Sequence, residues 1–280
     1  MSAFFARYRR ERPALAGAIV LAIIVVAALL GPLLWRLSPI DVNHAVMGHP
    51  LPPSAAHPFG TDLLGRDQLA RAMQGGQISL TVGVTAMLVA IGLGSLYGAI
   101  AGLAGGRVDA VMMRFVDAML SFPAFFLVIT VEALTNQFSV VVIVLVIGLL
   151  SWMGVARLVR GEVLTLRERD FVEAARALGV GPIRLIARHL LPNSLAPIVV
   201  AATLAIGDNI LIEAGLSYLG LGVQVPTASW GNMLQDALGS TALAAPWMVI
   251  VPGVLIVMTL LSFNLVGEGL RVAFDRSIEQ

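Results

Sequence analysis

The sequence predicts an all-α polytopic membrane protein with six transmembrane helices, and three observations carry that prediction. Of the 280 residues, 58% are hydrophobic and only 12% charged, with a mean hydropathy of +0.89; soluble domains carry about 25% charged residues. Several charge-free runs reach the ~20 apolar residues that a helix needs to cross a bilayer. The arginines gather in alternate connecting segments, as the positive-inside rule requires of a multispanning chain.

Arg12 and Arg36 bracket the first run, and the first span is Ala14–Leu34. Pro13 suits a first helical turn, and Trp35 suits the interfacial belt. The run is too long for the apolar core of a signal peptide and no small-x-small cleavage site follows it, so it reads as a retained anchor. Residues 36–77 then form an extracytoplasmic loop containing five prolines. His44, His49 and His57 stand five and eight apart there. That spacing fits no ligand pattern, so they read as solvated, and no metal site is expected.

The second span is Ile78–Leu103. Ala90, Gly94, Gly98, Gly102 and Gly106 recur every four residues, a groove for close helix packing. Between Asp117 and Arg157 only Glu132 is charged, and Thr135-Asn136-Gln137 divides that stretch. The third span is therefore Ala118–Leu134, with Glu132 interfacial, and the fourth is Phe138–Ala156. Spans five and six are Leu195–Leu216 and Pro246–Gly267. Ser229–Gly239 between them has an amphipathic spacing that suits either the interface or an outer gate. Residues 1–77 thus hold the N-terminal tail, the first span and its outer loop. Residues 78–280 hold the five-span core, with a long polar loop at 156–193.

Placing the N-terminus in the cytoplasm puts fifteen arginines inside and only Arg36, Arg66 and Arg71 outside, so both termini are expected to be cytoplasmic. All 18 basic residues are arginine. With no lysine there is no P-loop, because that motif needs its lysine on the β/γ-phosphates. Schiff-base chemistry on lysine is excluded as well. With no cysteine there is no disulfide or thiolate site. A net charge of +1 gives no electrostatic case for nucleic acid.

The loop at 156–193 carries the most information. Phe171, Ala174, Ala175 and Leu178 fall at helical spacing and make one apolar face. Arg167, Glu168, Arg169, Asp170, Glu173 and Arg176 make the polar face, and Gly179 with Gly181-Pro182 ends the helix. An apolar face on a charged cytoplasmic helix calls for a protein partner. In span five, Asp208, Asn209 and Glu213 are ionisable or polar groups inside the membrane, where such groups mark a cavity or a partner. They are the candidate residues of a translocation path. Asn209 and Glu213, four apart, share a face, and Asp208 points elsewhere.

Glu173-Ala174-Ala175, Gly179 and Leu191-Pro192 together resemble the EAA loop of the membrane subunits of bacterial ABC importers, with His189 where that pattern has isoleucine. His57-Pro58-Phe59-Gly60-Thr61-Asp62 with Gly65-Arg66-Asp67, Gly105-Gly106-Arg107-Val108-Asp109 through Ser121-Phe122-Pro123, and Glu213 through Gly222 are similar to the dipeptide/oligopeptide/nickel permease group. The chain looks most like the second, shorter permease of each heterodimeric pair. The resemblance implies an ABC importer permease fold with a cytoplasmic coupling helix, in the bacterial cytoplasmic (inner) membrane. It implies that Asp170, Phe171, Glu173, Ala174, Ala175, Leu178 and Gly179 dock the chain on one of two ATPase subunits that bind ATP and Mg. A homologous second permease would complete the pore, and an extracytoplasmic binding protein would deliver substrate. The chain would bind no cofactor and make no bonds itself. Di- or oligopeptides are the implied cargo, with nickel or another metal chelate and glutathione as alternatives. A secondary transporter is the more distant reading, and no internal repeat of the kind common in such carriers is visible.

Overall fold

The computed structural model describes residues 7–123, 126–127, 129–130, 139–238 and 241–274. Among the described residues there are helices and one isolated bridge, Thr61 to Asp67. Five helices are long and apolar enough to span a membrane: α1 (Arg12–Leu34), α2 (Gln68–Ala104), α4 (Val140–Leu166), α6 (Leu195–Tyr218) and α8 (Trp247–Phe274). Among the shorter helices are α3 (Gly106–Leu120), α5 (Asp170–Ala177) and α7 (Trp230–Asp236). The expected third span begins within α3. Most of the rest of it, with Glu132, lies outside the described residues.

Two helices outrun their expected spans by ten residues each, and α8 runs seven past Gly267 to Phe274. α2 starts at Gln68, ten residues before Ile78, with the Asp67 side chain accepting from the Ala70 N–H as its N-cap. The boundary between residues 77 and 78 therefore falls inside one continuous helix. α4 runs ten residues past Ala156 to Leu166, so Arg157, Arg160 and Glu162 lie on a helix rather than in a loop. At 1.5 Å per residue the 37-residue α2 is about 55 Å long, against about 30 Å of hydrocarbon. Hydropathy marks the part in lipid, while the helix continues wherever its backbone bonds do.

α2 and α4 make the closest pair in the bundle. Cβ atoms built at Gly94 and Gly102 would stand 2.6 Å from Val155 Cβ and 2.9 Å from Val163 Cβ, and one at Gly98 would fall on the Ala156 carbonyl oxygen. The glycine groove on α2 thus receives the backbone of α4. Gly106 does not belong to it, since it opens α3 with free space around it. Gly98→Val is expected to force the two backbones apart and destabilise the bundle by about 1–3 kcal/mol, the usual penalty of overpacking. Gly92→Val on the same helix, where a Cβ meets nothing within 4 Å, should leave the thermal midpoint in detergent unchanged. Equal midpoints for the two variants would show that the groove is not tight.

α1 lies against α8, with Gly17 on Leu265 and Ser262, and α6 sits between α8 and α2. Residues 182–193 form a helical run with a π turn over Ile186–Leu190, where Leu191 N–H reaches back to Ile186 O. Pro192 has no N–H to donate, and its ring crowds the carbonyl four residues back, which accounts for the widened turn. α7 is buried rather than laid along an interface. Trp230 and Met233 are enclosed among residues of α2, α6 and α8, and Trp230 Nε1–H donates to Ala72 O at 3.0 Å.

Candidate functional site: the coupling helix and the buried polar groups

α5 is tethered to the bundle by one edge of its apolar arc and bare along the other. Val172 and Ala175 are buried with Val155, Val159 and Val163 of α4 and with Leu185 and Leu190 of the following run. Phe171, Ala174 and Leu178 are exposed, Leu178 to 86%. Asp170 and Glu173 are also exposed, in the first turn, where carboxylates favour the helix dipole. Sequence spacing put Ala175 on the docking face, but the structure corrects this. At 100° per residue Ala175 lies between Phe171 and Val172, and with Val172 already against the bundle the short alanine is carried inward.

The helix ends in a Schellman motif. Val180 N–H bonds to Ala175 O at 3.1 Å and Gly179 N–H to Arg176 O at 2.9 Å. Gly179 has φ +77°, which a residue with a Cβ adopts only at a cost. Val180 packs back onto the same cluster as Ala175. Just beyond, Ile183 is 84% exposed on the same loop. Sequence reasoning missed Ile183. Residue order misplaces it, because Ile183, Ile186 and Leu190 stand at i, i+3 and i+7 and would share one face of a regular helix, yet Ile186 and Leu190 are buried beside the π turn and Ile183 is left outside.

Charged pairs brace this end of the molecule. The Arg160 guanidinium donates to Asp109 through two parallel bonds, Nε to Oδ1 at 2.5 Å and Nη2 to Oδ2 at 2.6 Å. Arg157 Nη2 donates to Asp117 Oδ1 at 2.5 Å, and Arg167 Nη1 donates to Gly102 O at 3.1 Å. These bonds tie α3 to α4, and tie the stem of α5 to the end of α2. Net-charge counting cannot find them, because it treats every arginine as a solvated cation.

The three intramembrane groups separate. Glu213 is 0% exposed; its Oε2 accepts from Ser79 Oγ at 2.8 Å and its Oε1 from Ser217 Oγ at 2.7 Å. Those serine oxygens in turn accept from Trp230 N–H at 3.4 Å and Val223 N–H at 3.0 Å. Asn209 Oδ1 accepts from Ser151 Oγ at 2.8 Å, and its Nδ2 donates to Gly83 O at 3.4 Å. Both side chains are enclosed in the chain's own packing, where they join α6 to α2, α4 and the entry of α7. Asp208 differs: it is exposed on the outer surface of α6, and no hydrogen-bond or ion-pair partner stands beside it among the described residues.

At the α7 end, residues 36–67 fold onto the bundle around a buried ionic cluster. Asp62 Oδ2 accepts from Arg66 Nε at 2.6 Å and from Arg71 Nη1 at 2.7 Å. Both arginines also donate through Nη2 to Asp236 Oδ2 of α7, at 2.9 and 2.8 Å. Asp67 Oδ1 accepts from Trp35 Nε1 at 3.0 Å, and its Oδ2 lies 2.8 Å from His57 Nδ1. His57 is thus partly buried and partnered rather than solvated, while His44 and His49 are exposed as expected. Among the described residues no three His, Asp or Glu side chains gather as a metal ion would require.

Comparison with known proteins gives this geometry a family. Residues 94–280 match the family of the binding-protein-dependent transport system inner membrane component. Residues 1–53 match the N-terminal TM domain of oligopeptide transport permease C. The chain is 39% identical over 269 residues to the oligopeptide transport system permease protein OppC of Haemophilus influenzae, covering 96% of this chain and 86% of that one. It is 42% identical to OppC of Escherichia coli K12, over 96% of this chain and 88% of that one. It is 38% identical to the dipeptide transport system permease protein DppC of Bacillus subtilis, over 98% and 85%. The fold is similar to that of a solved structure of the MetNI methionine ABC transporter in inward-facing conformations. That match has a TM-score of 0.55 at 17% identity, over 70% of this chain and 94% of that one. With its spanning bundle, its tethered amphipathic helix and these matches along almost its whole length, the chain belongs to the binding-protein-dependent transport system inner membrane components, the permease subunits of ABC importers.

Proposed function

We propose that the chain is one of two permease subunits of an importer that carries di- or oligopeptides across the inner membrane. It supplies half of the translocation pore, and a homologous permease supplies the other half. α5 and the 182–193 run face the cytoplasm and dock on one of two ATPase subunits, which bind ATP and Mg. An extracytoplasmic binding protein delivers cargo to the opposite end, where residues 36–67 and α7 lie. The chain itself holds no cofactor and performs no bond-making chemistry; a sequence without lysine offers no P-loop for ATP. Both termini are cytoplasmic, in keeping with the arginine distribution. The peptide reading is supported by the oligopeptide and dipeptide permeases that this chain resembles.

The observation that carries the reading is the half-tethered α5. Val172 and Ala175 fix its position, and Phe171, Ala174, Leu178 and Ile183 are left bare beside it. A helix held so rigidly with apolar groups outward is built to receive another protein. Purifying the tagged chain from its native membrane is expected to bring down the ATPase chains and a second permease, and the isolated chain should not transport. Uptake by the isolated chain in liposomes, driven by an ion gradient, would overturn the assignment in favour of a secondary transporter.

A further inference from the structure

Asp208 stands about half-way along α6, thirteen residues from Leu195 and ten from Tyr218, or about 20 and 15 Å from the two ends. A carboxylate at that depth is costly against lipid, and such groups face a cavity or a partner instead. Its face of α6 carries exposed side chains from Leu204 to Tyr218. Leu204, Asp208, Leu211 and Tyr218, at helical spacing, are all exposed. One turn below Asp208 that face enters a cavity of about 770 Å³ at the α5 end, walled by Leu158 and Glu162 of α4, Val200 and Leu204 of α6, and Arg271 and Phe274 of α8. Arg271 lies 3.6 Å from Glu268, so the one cation of that wall has an acid of its own. Among the described residues no hydrogen-bond or ion-pair partner stands beside Asp208, whereas Asn209 and Glu213 each hold two hydrogen bonds.

We propose that Asp208 is a cation-binding point in the translocation path, where it pairs with an ammonium group of the passing cargo. This rests on the peptide reading above and adds to it. The path is not a neutral conduit behind the binding protein but selects for positive charge at mid-membrane. A mobile cargo suits the geometry, since the carboxylate lies on an open face continuous with a cavity large enough for a short peptide. The ammonium group could be the α-amino group that every unblocked peptide carries or the side chain of a lysine. The chemistry at Asp208 is the same for both.

The test is uptake of Ala-Ala-Ala and Ala-Lys-Ala by the complete importer, comparing wild type with Asp208→Asn and Asp208→Glu. Loss of a charge-assisted hydrogen bond to the cargo is expected to lower uptake by about tenfold or more. The glutamate variant should restore most of it. Loss for both peptides in Asp208→Asn assigns the α-amino group, and loss for Ala-Lys-Ala alone assigns the side chain. The binding protein is common to all arms, so its own preference cancels when variants are compared. Wild-type rates for both peptides in Asp208→Asn overturn the inference. So does loss of the second permease from purified Asp208→Asn with recovery in Asp208→Glu, since that outcome makes Asp208 an ion-pair partner of the other subunit. A wild-type importer that takes up neither peptide overturns the peptide reading and this inference together. Wild-type uptake with no loss in Asp208→Asn overturns this inference alone.

Discussion

Leu178→Asp is expected to abolish uptake while leaving the chain folded and in the membrane. Leu178 is almost entirely bare in the isolated chain, so the change costs its own fold little. In the docked state the same side chain would be covered, and burying a leucine contributes about 1.5–3 kcal/mol. A carboxylate in its place forfeits that and adds desolvation. Recovery of ATPase subunits with the purified permease should fall at least tenfold. Val172→Asp makes the opposite test on the opposite edge of the helix. Val172 is buried against α4, so this variant should lower the thermal stability of the permease itself. Gly179→Pro should resemble Leu178→Asp. It removes the N–H that bonds Arg176 O and sets φ near −65° where the chain needs +77°, so the helix frays at the end that presents Leu178. Glu173→Arg adds a cation to the first turn, against the helix dipole by about 0.3–1 kcal/mol, and cancels the negative charge that Asp170 and Glu173 give the docking face. If Leu178→Asp keeps full uptake with normal ATPase recovery, α5 is not the docking element.

Much of this arrangement can be read directly from residue order, and the failures have a common cause. Long apolar runs with few charges locate the five described spans, because lipid disfavours charge. The Gly94–Gly98–Gly102 repeat announces a close helix neighbour, because only glycine lets a backbone approach so nearly. What residue order does not carry is whether a charge is paired. Arg157 and Arg160 read as loop cations, yet they lie on α4 and hold Asp117 and Asp109. Asp62, Arg66 and Arg71 fall in the outer loop and Asp236 in the separate amphipathic segment Ser229–Gly239, yet they meet in one buried cluster across more than 160 residues of sequence. The same blindness applies to Glu213 and Asp208. Both are carboxylates on one helix, five residues apart. The rotation between them sends one among serines of the bundle and leaves the other on an open face.

The buried cluster makes the largest stability prediction. Two arginines and two aspartates give a neutral set, but its members are not equally enclosed. The side chains of Asp62 and Arg71 are each 1% exposed, and that of Asp236 is 27% exposed. Asp62 also holds the turn that follows it, with Oδ1 accepting from Leu64 N–H and Arg66 N–H at 2.9 Å. Asp62→Asn would keep much of that turn but leave two guanidiniums facing a single carboxylate. Removing one partner of a buried ion pair costs about 3–5 kcal/mol, because the other is left charged and dry. Asp236→Asn should cost distinctly less, since water reaches that oxygen pair. Arg71→Met in the Asp62→Asn background restores neutrality and should recover part of the loss, so that the double variant is more stable than the two single effects added together. Thermal midpoints of the purified importer in detergent, with wild type and Arg71→Met alone included, would rank the five proteins. If Asp62→Asn and Asp236→Asn prove equally mild, residues 36–67 are held to the bundle by packing such as that of Leu63 and Trp247, and the charges are incidental to it.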